Sequence, residues 1–274
     1  MNKALRLREL IGAPEILVTP GVYDAFTAYR AQEAGFGAAF VSGSSLAMMQ
    51  LARPDVGLLS LSETADMVAR MAERVDMPLL VDADQGFGNS LMVARAVRSL
   101  ERAGASGIQI EDQVEVKPAA SPLSRPLISV EAMTDKIQAA RDARQNDATV
   151  ISARTDAMTS EGIDEALRRA HSYAAAGADM VFVESLAKRS DMERLVSAIG
   201  GSIPLLHNLL RPADEVTDAT TLQDMGYSVA LFPGVAVGAA GEALEAAFRA
   251  LKTTPATGPS MPDRIGAAQF LKRD

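Results

Sequence analysis

The sequence predicts an α/β protein with the architecture of a closed (β/α)8 barrel of the TIM type, and three observations lead to this prediction. Short apolar or β-branched runs alternate with longer amphipathic stretches throughout the 274 residues, as in repeated βα units. Glycine-containing turns end several of the amphipathic stretches, as at the C-termini of helices. Polar side chains follow nearly every apolar run, at the place where barrel enzymes build their active sites.

Eight apolar runs are predicted to form the strands. They show little two-residue alternation, which is expected for parallel strands covered by helices on one face and by a packed interior on the other. In chain order they are Ile16–Thr19, Ala38–Ser42, Leu79–Asp82, Gly107–Glu111, Thr149–Ala153, Met180–Glu184, Pro204–His207 and Ser228–Phe232.

Eight amphipathic segments between and after these runs are predicted to form helices. Four of them end in similar glycine turns, which indicates a repeated unit. A doubly wound open sheet, the alternative fold, predicts a glycine-rich phosphate loop after the first strand, and residues 19–23 are no such loop. The predicted helices are Phe26–Ala34, Leu61–Arg74, Leu91–Ala103, Val130–Arg144, Ile163–Ala176, Asp191–Ile199, Asp214–Met225 and Val237–Leu251.

Composition excludes several classes of function. The net charge is −8 and no Lys/Arg-rich run is present, which argues against nucleic acid as a partner. Without cysteine, thiolate metal sites and cysteine acids are impossible. No apolar run reaches the roughly 18 residues of a membrane span, and the N-terminus lacks a signal-peptide core. We therefore expect one domain over residues 1–274, with a short N-terminal helix and a C-terminal tail, acting in the cytoplasm on a small molecule.

Carboxylates cluster after two neighbouring strands. Asp82 and Asp84 stand at alternate positions, so both point to the same side, and Glu111 and Asp112 follow the next strand. Converging carboxylates repel one another unless a cation or a proton lies among them. Oxygen ligands without cysteine favour Mg²⁺, with Mn²⁺ as an alternative. Individual acids of this group are also suited to capping the following helices.

Three other strand ends carry groups for binding or proton transfer. Arg154 is placed to take a substrate carboxylate in bidentate fashion or to form an ion pair with a strand-end acid such as Glu184. The run 42–44 offers amides and hydroxyls to an anion, or forms an ordinary turn. His207 ends the seventh strand and is a candidate for proton transfer or a structural histidine.

Taken together, the segments 81–89, 109–113 and 153–156 resemble the isocitrate lyase/phosphoenolpyruvate mutase superfamily. The resemblance extends from about Pro20 to Phe232. It implies a TIM-type barrel that uses Mg²⁺ to bind an α-keto acid, or its enolate, through the carboxylate and the 2-oxygen. It also implies a homotetramer whose subunits exchange their last helix, here Val237–Leu251 or a short helix in the tail.

The resemblance assigns roles to individual residues. Asp82 is expected to ligate the metal directly, while the other metal-site acids hold metal-bound waters. The remaining positions bind the substrate carboxylates or complete the pocket, and Tyr23 is included among them. The expected metal residues are Asp55, Asp82, Asp84 and Glu111, and the expected substrate residues are Tyr23, Ser42, Gly43, Ser44, Asp82, Arg154, Glu184 and Asn208.

One segment departs from the superfamily pattern. Isocitrate and methylisocitrate lyases carry a Lys-Lys/Arg-Cys-Gly-His loop after the Glu-Asp-Gln, and its cysteine protonates the product. Here Lys117 is retained, but Ala119 stands in the place of the cysteine and Ser121 in the place of the histidine. The asparagine of the phosphonomutases is absent from this loop as well. The expected catalytic residues are Glu111, Lys117, Arg154 and His207.

The resulting hypothesis is Mg²⁺-dependent carbon–carbon bond cleavage of an α-oxo or α-hydroxy di- or tricarboxylic acid through a metal-stabilised enolate. Decarboxylation of an oxaloacetate-like acid suits the missing cysteine best, and a 2-methylisocitrate- or dimethylmalate-type lyase comes next. The alternatives are phosphonopyruvate or phosphoenolpyruvate mutase or hydrolase chemistry and a non-catalytic binding barrel.

Overall fold

The computed structural model describes residues 2–114, 125–256 and 258, and eight parallel strands among them close into a barrel. Each strand pairs with its neighbours in sequence, and β1 pairs with β8 to complete the ring. The predicted barrel is therefore confirmed. The strands are β1 Leu17–Val22, β2 Ala39–Val41, β3 Leu79–Asp82, β4 Gly107–Glu111, β5 Val150–Thr155, β6 Met180–Val183, β7 Leu205–Asn208 and β8 Val229–Phe232.

The helices that connect successive strands cover the outside of the ring. Most begin at a side chain that accepts a hydrogen bond from the first turn, as Asp24 does for α2 and Ser60 for α4. The helices α5 and α10 end at Gly104 and Gly226, which adopt the left-handed conformation expected from the sequence. The helices are α1 Lys3–Ile11, α2 Ala25–Glu33, α3 Gly43–Leu51, α4 Leu61–Arg74, α5 Ser90–Ala103, α6 Val130–Ala143, α7 Ala157–Ser160, α8 Ile163–Ala175, α9 Arg189–Leu195, α10 Ala219–Met225 and α11 Val235–Thr253.

The structure differs from the predicted elements at a few places. Helices α3 and α7 were not expected. The predicted helix over 191–199 begins earlier and continues as a π-helical turn over 196–200. The predicted helix over 214–225 begins only after Asp218, because the Asp218 side chain caps Thr221 and so sets the first turn there.

The apolar interior of the barrel is closed at its N-terminal end by α1. Leu7 and Ile11 of this helix join one buried cluster with strand residues such as Leu80 and Phe182. Arg8 anchors the helix, because its side chain donates to the carbonyls of Ala148, at 2.7 Å, and Thr149, at 3.1 Å. The opposite end of the barrel is thereby left for a site.

The chain divides into two compact units, Met1–Val237, which holds the whole barrel, and Gly238–Asp274. A single domain over residues 1–274 stays a prediction. The second unit carries most of α11, a helix with no buried residue. Across the described ranges, no helix combines the length and apolar character needed to cross a bilayer.

The seam between β1 and β8 requires glycine at position 21. A Cβ atom built on Gly21 would lie 2.1 Å from the carbonyl oxygen of Pro233. We predict that Gly21→Ala lowers the free energy of unfolding by about 3 kcal/mol, since a backbone atom cannot move aside as a flexible side chain does. Urea denaturation measures this, with Gly201→Ala as the control because nothing lies within 4 Å of a Cβ there. Equal stability of the two variants would contradict the tight seam.

Candidate active site

A cavity of about 240 Å³ lies at the C-terminal ends of the strands. Most of the residues expected to bind substrate or metal line it, together with a set of apolar side chains. The structure therefore brings together residues from β2, β3, β5, β6 and β7. The polar residues of the lining are Ser42, Ser44, Asp55, Asp82, Gln109, Gln113, Arg125, Arg154, Glu184 and Asn208.

The run 42–44 forms the N-terminus of α3. Ser42 is the N-cap and accepts from the amide of Ser45 at 3.3 Å, while its Oγ lies 3.2 Å from the Oγ of Ser44. The Gly43 amide donates to Asp82 Oδ2 at 3.4 Å. Amides and hydroxyls at a helix N-terminus favour an anion, so this segment is suited to a substrate carboxylate next to Asp82.

The turn after β3 holds its carboxylates with an unusual backbone. Asp84 and Phe87 both have positive φ, at 46° and 61°, although residues with side chains rarely adopt that conformation. The Asp84 amide donates to Asp82 Oδ1 at 3.2 Å, and Lys136 Nζ donates to the Gln85 carbonyl at 2.8 Å. One local and one tertiary hydrogen bond thus hold this turn, in which Gly86 and Gly88 also adopt positive φ.

The acids of this turn fit Mg²⁺ in one particular way. In the part of the chain that the structure describes, no group of three or more histidine or acidic side chains is arranged to hold a metal ion by itself. However, a Cβ on Gly43 would lie 3.1 Å from Asp82 Oδ2 and 3.7 Å from Asp84 Oδ1, so both carboxylates flank this glycine. Mg²⁺ binds proteins through one or two carboxylates and keeps several waters. The donor set fits such a site, with other acids acting through water.

Arg154 lies at the centre of a buried ion-pair network. It forms a bidentate pair with Asp156, with its Nε 2.9 Å from Oδ2 and its Nη2 2.9 Å from Oδ1. Glu111 lies 3.4 Å and Glu184 3.8 Å from the same guanidinium. Both interpretations of Arg154 from the sequence are therefore compatible, because it forms ion pairs and also lines the cavity.

The contacts within the network shift the pKa values of Arg154 and Asp156. Burial alone would lower the pKa of Arg154, but the carboxylates of Asp156, Glu111 and Glu184 raise it well above its usual value. Burial is the largest single effect and alone would raise the pKa of Asp156. The charges of Arg154 and Arg125, together with hydrogen bonds from Arg154 and Gln113, outweigh it and hold the pKa at about 2. Asp156 is therefore ionised and Arg154 charged across the physiological pH range.

Asp112 forms a clamp behind this network. Its fully buried carboxylate accepts hydrogen bonds from Thr155 Oγ1 at 2.7 Å, the Asp156 amide at 3.0 Å, Arg169 Nη1 at 3.2 Å and Tyr173 Oη at 2.7 Å. Arg169 and Tyr173 lie on α8. The clamp joins the end of β4 to the end of β5 and so fixes the backbone from which Asp156 reaches Arg154.

Some expected residues lie away from the lining. Tyr23 is buried but does not border the cavity. His207 is 1% exposed and stacks edge-on against Tyr227 at 5.8 Å between ring centroids. It does not line the cavity either, so its predicted role in proton transfer gains no support from its position. Lys117 lies outside the described residues.

Two arginines near the site were not expected. Arg125 lines the cavity and donates to Asp156, and its Nη1 lies 4.0 Å from Glu184. Arg211 donates to Glu184 at 3.1 Å. No local pattern marks Arg125, because its place depends on a bridge between Gln113 and Leu127 that brings the chain back to the site.

The family model described as phosphoenolpyruvate phosphomutase matches residues 7–252. Two curated relatives are similar over most of the chain. The 2,3-dimethylmalate lyase of Eubacterium barkeri is 36% identical over 98% of this chain and 93% of its own length. The probable 2-methylisocitrate lyase 2 of Corynebacterium glutamicum is 42% identical over 83% of this chain and 73% of its own length.

Solved structures show the same likeness. Oxaloacetate acetylhydrolase in complex with 3,3-difluorooxalacetate superposes with a TM-score of 0.89 at 27% identity, covering 98% of this chain and 92% of the other. Phosphonopyruvate hydrolase in complex with oxalate and Mg²⁺ superposes with a TM-score of 0.82 at 29% identity, covering 92% of this chain and 88% of the other.

The hydrogen bonds around Asp112 predict that removal of the Tyr173 hydroxyl, which does not line the cavity, lowers the stability of the fold. We expect Tyr173→Phe to lower the free energy of unfolding by about 1–2 kcal/mol, because Asp112 then loses a buried hydrogen bond. Tyr227→Phe is the matched control, since the buried Tyr227 hydroxyl has no hydrogen-bond partner among the described residues. Urea denaturation compares the two, and equal losses would refute the clamp.

The burial of His207 predicts that the stability of the fold depends on pH in a specific way. Burial, with a smaller effect of the Arg211 charge, lowers the pKa of His207 to about 4. Because the unfolded chain then binds the proton more readily, stability falls as the pH drops below about 6.5 and stops falling near pH 4. We expect this group to remove about 2 kcal/mol between pH 7 and pH 5.

The measurement is urea denaturation at both pH values for the wild type and for His207→Gln, which should lack that part of the loss. His171→Gln is the control, because His171 is exposed on α8. The same pH dependence in all three proteins would show that the buried imidazole is not the cause.

Proposed function

Because the chain belongs to the phosphoenolpyruvate phosphomutase family, within the isocitrate lyase/phosphoenolpyruvate mutase superfamily, we propose that it is a Mg²⁺-dependent carbon–carbon lyase of substituted malate-type acids. The observation that carries this proposal is one cavity that joins the 42–44 turn, which is suited to an anion, the Asp82 carboxylate and the partly buried Arg154. Relatives named as 2,3-dimethylmalate and 2-methylisocitrate lyases support the substrate class.

Substrate binding is assigned to groups on two sides of the cavity. One carboxylate is bound by the hydroxyls and amides of 42–44 at the start of α3. Arg154 contacts a substrate oxygen from β5, and its planar guanidinium favours bidentate recognition. Asn208 already donates to Glu184 Oε2 at 2.9 Å, which orients that acid towards the same space.

The metal is assigned to the turn after β3, with Asp82 as the direct ligand and Asp55, Asp84 and Glu111 acting through water. When bound, Mg²⁺ or Mn²⁺ supplies Lewis acidity, which stabilises negative charge that develops on a substrate oxygen. A related hydrolase that binds oxalate together with Mg²⁺ supports this assignment.

The proposed reaction is the cleavage of a 2-hydroxy acid. A base takes the hydroxyl proton, the carbon–oxygen bond becomes a carbonyl, and the adjacent carbon–carbon bond breaks. The electron pair of that bond remains on the carbon beside the second carboxylate. This carbon then takes up a proton. Glu111 is the proposed base because it borders Arg154 and the metal turn. Lys117 stays a predicted catalytic residue.

The cavity favours this substrate class over a phosphonate. Its apolar lining includes Val56, Leu210 and Leu231, which suit the alkyl substituents of a substituted malate. Among the described residues, the cations of the lining are Arg125 and Arg154, and both are already paired with Asp156. A phosphonate dianion would require additional positive charge. Decarboxylation of oxaloacetate remains the second candidate, and the likeness to oxaloacetate acetylhydrolase favours including that acid in any assay.

We also propose a homo-oligomer assembled through α11. Leu244, Phe248 and Leu251 follow helical spacing and are 46%, 66% and 53% exposed, so they present one apolar face. Such a face is suited to a second copy of the chain, as in the predicted tetramer. The cytoplasmic localisation expected from the sequence likewise stays a prediction.

The proposed function predicts release of a 2-oxo acid from one member of a panel containing dimethylmalate, methylisocitrate, oxaloacetate and phosphonopyruvate. We expect turnover of a substituted malate with Mg²⁺ and loss of turnover with EDTA. Asp82→Ala should lower kcat/KM by about 10³ or more while the fold is retained or stabilised, because repulsion between acids is relieved. Asp142→Asn, on the exposed surface of α6, should retain full activity.

Turnover that persists after metal removal would overturn the metal-dependent mechanism. Phosphonopyruvate as the preferred member would replace the lyase with phosphonate chemistry. A folded, metal-binding protein that is inactive on the whole panel would favour a binding barrel.

A further inference from the structure

Gln109 lines the cavity and takes part in none of the contacts described above. It is on β4, two residues before Glu111, and pairs in register with Asp82 of β3 and Ser152 of β5. Its side chain lines the cavity together with Phe40, Phe182 and Leu231. The residue is 1% exposed, and its register places it beside Asp82.

The side-chain amide of Gln109 is buried without a hydrogen bond to any described residue. Neither its Oε1 nor its Nε2 has a partner among them, and the hydroxyl of the adjacent Ser152 has none either. Buried amides are normally paired, because desolvation without a new hydrogen bond is costly. A buried amide that lines a binding cavity without such a partner indicates that another molecule supplies the hydrogen bond.

We propose that Gln109 determines specificity by hydrogen bonding to a neutral oxygen of the substrate, either a hydroxyl or a carbonyl. This inference rests on the proposed function, because it names the substrate oxygen that the proposed active site recognises. A site that is built to pair a substrate oxygen discriminates against an analogue that lacks it, since its own polar group is then left buried and unpaired.

The surroundings of Gln109 favour a neutral partner over a carboxylate. Gln109 pairs in register with Asp82, whose carboxylate disfavours a second anion beside it, and burying a carboxylate costs far more than burying a hydroxyl. An amide also offers both a donor and an acceptor, which matches a hydroxyl. The carboxylates of the substrate are expected at Arg154 and the 42–44 turn, and an uncharged oxygen at Gln109.

The test is a thermodynamic cycle with two C4 diacids that differ by one hydroxyl. Calorimetry with saturating Mg²⁺ measures the Kd of each malate enantiomer and of succinate for the wild type and for Gln109→Met, a variant of similar size without the amide. We expect the wild type to prefer one malate enantiomer over succinate and Gln109→Met to reduce that preference by about tenfold. Any contact of the malate hydroxyl with the metal is present in both proteins. Its contribution therefore cancels when the preferences of the wild type and Gln109→Met are compared.

A second readout separates recognition from structure. Without ligand, Gln109→Met should unfold at a higher urea concentration than the wild type, because it removes an unpaired buried amide. Ser152→Ala is the matched control, since it removes the neighbouring unpaired hydroxyl from a side chain that does not line the cavity. It should leave the malate-to-succinate ratio unchanged. Gln109→Leu repeats both measurements if Gln109→Met does not fold.

Three outcomes decide the proposal. A lower preference for malate together with retained or increased stability supports it. A malate-to-succinate ratio that is unchanged in Gln109→Met overturns it, whether or not stability is lost. Gln109 is then a structural residue. If the wild type turns over no acid of the panel yet shows a malate preference that depends on Gln109, the proposed lyase reaction fails while recognition by Gln109 stands.

Discussion

The bidentate pair between Arg154 and Asp156 is the interaction on which the rest of the site depends. An arginine that is buried at the mouth of a barrel requires carboxylates to offset its desolvation. Asp156 supplies the closest one, while Glu111 and Glu184 border the same guanidinium. These acids therefore stabilise the cation, and at the same time they shape the cavity that it lines. Removal of Asp156 would take away the bidentate partner of this guanidinium and leave less of its desolvation compensated.

The helices outside the barrel take part in this arrangement. Asp112 connects Arg169 and Tyr173 on α8 with the Asp156 amide. Arg169 also donates to the Ile128 carbonyl at 2.9 Å, where the chain returns from the long segment after β4. The position of one binding-site arginine is thus determined by contacts among three elements, and a packed buried network of this kind has few alternative geometries.

Much of the barrel is predictable from the sequence, because buried parallel strands read as apolar runs that end in polar residues. The predicted bounds of β3 and β4 are confirmed, as are the family and the lyase class. Helix α3 could not be found, since its sequence has no amphipathic pattern. The position of His207 depends on strand alternation. Leu206 lies in the barrel interior and Asn208 lines the cavity, so the side chain between them points to the other face, and its role in proton transfer stays a prediction. Arg125 depends on a distant backbone bridge that local patterns do not encode.

The closure of the ring has a consequence for synthesis of the protein. Arg8 of α1 finds its carbonyl partner at Ala148, 140 residues away, and the Ile16 amide, just before β1, is held by Gln223, 207 residues away. During translation from the N-terminus, the first helix and first strand are therefore made long before their partners exist. Contacts of such sequence separation form slowly. The apolar face of α1 and the unpaired edge of β1 remain uncovered until nearly the whole chain has emerged, and this interval is when the nascent protein is most exposed to aggregation.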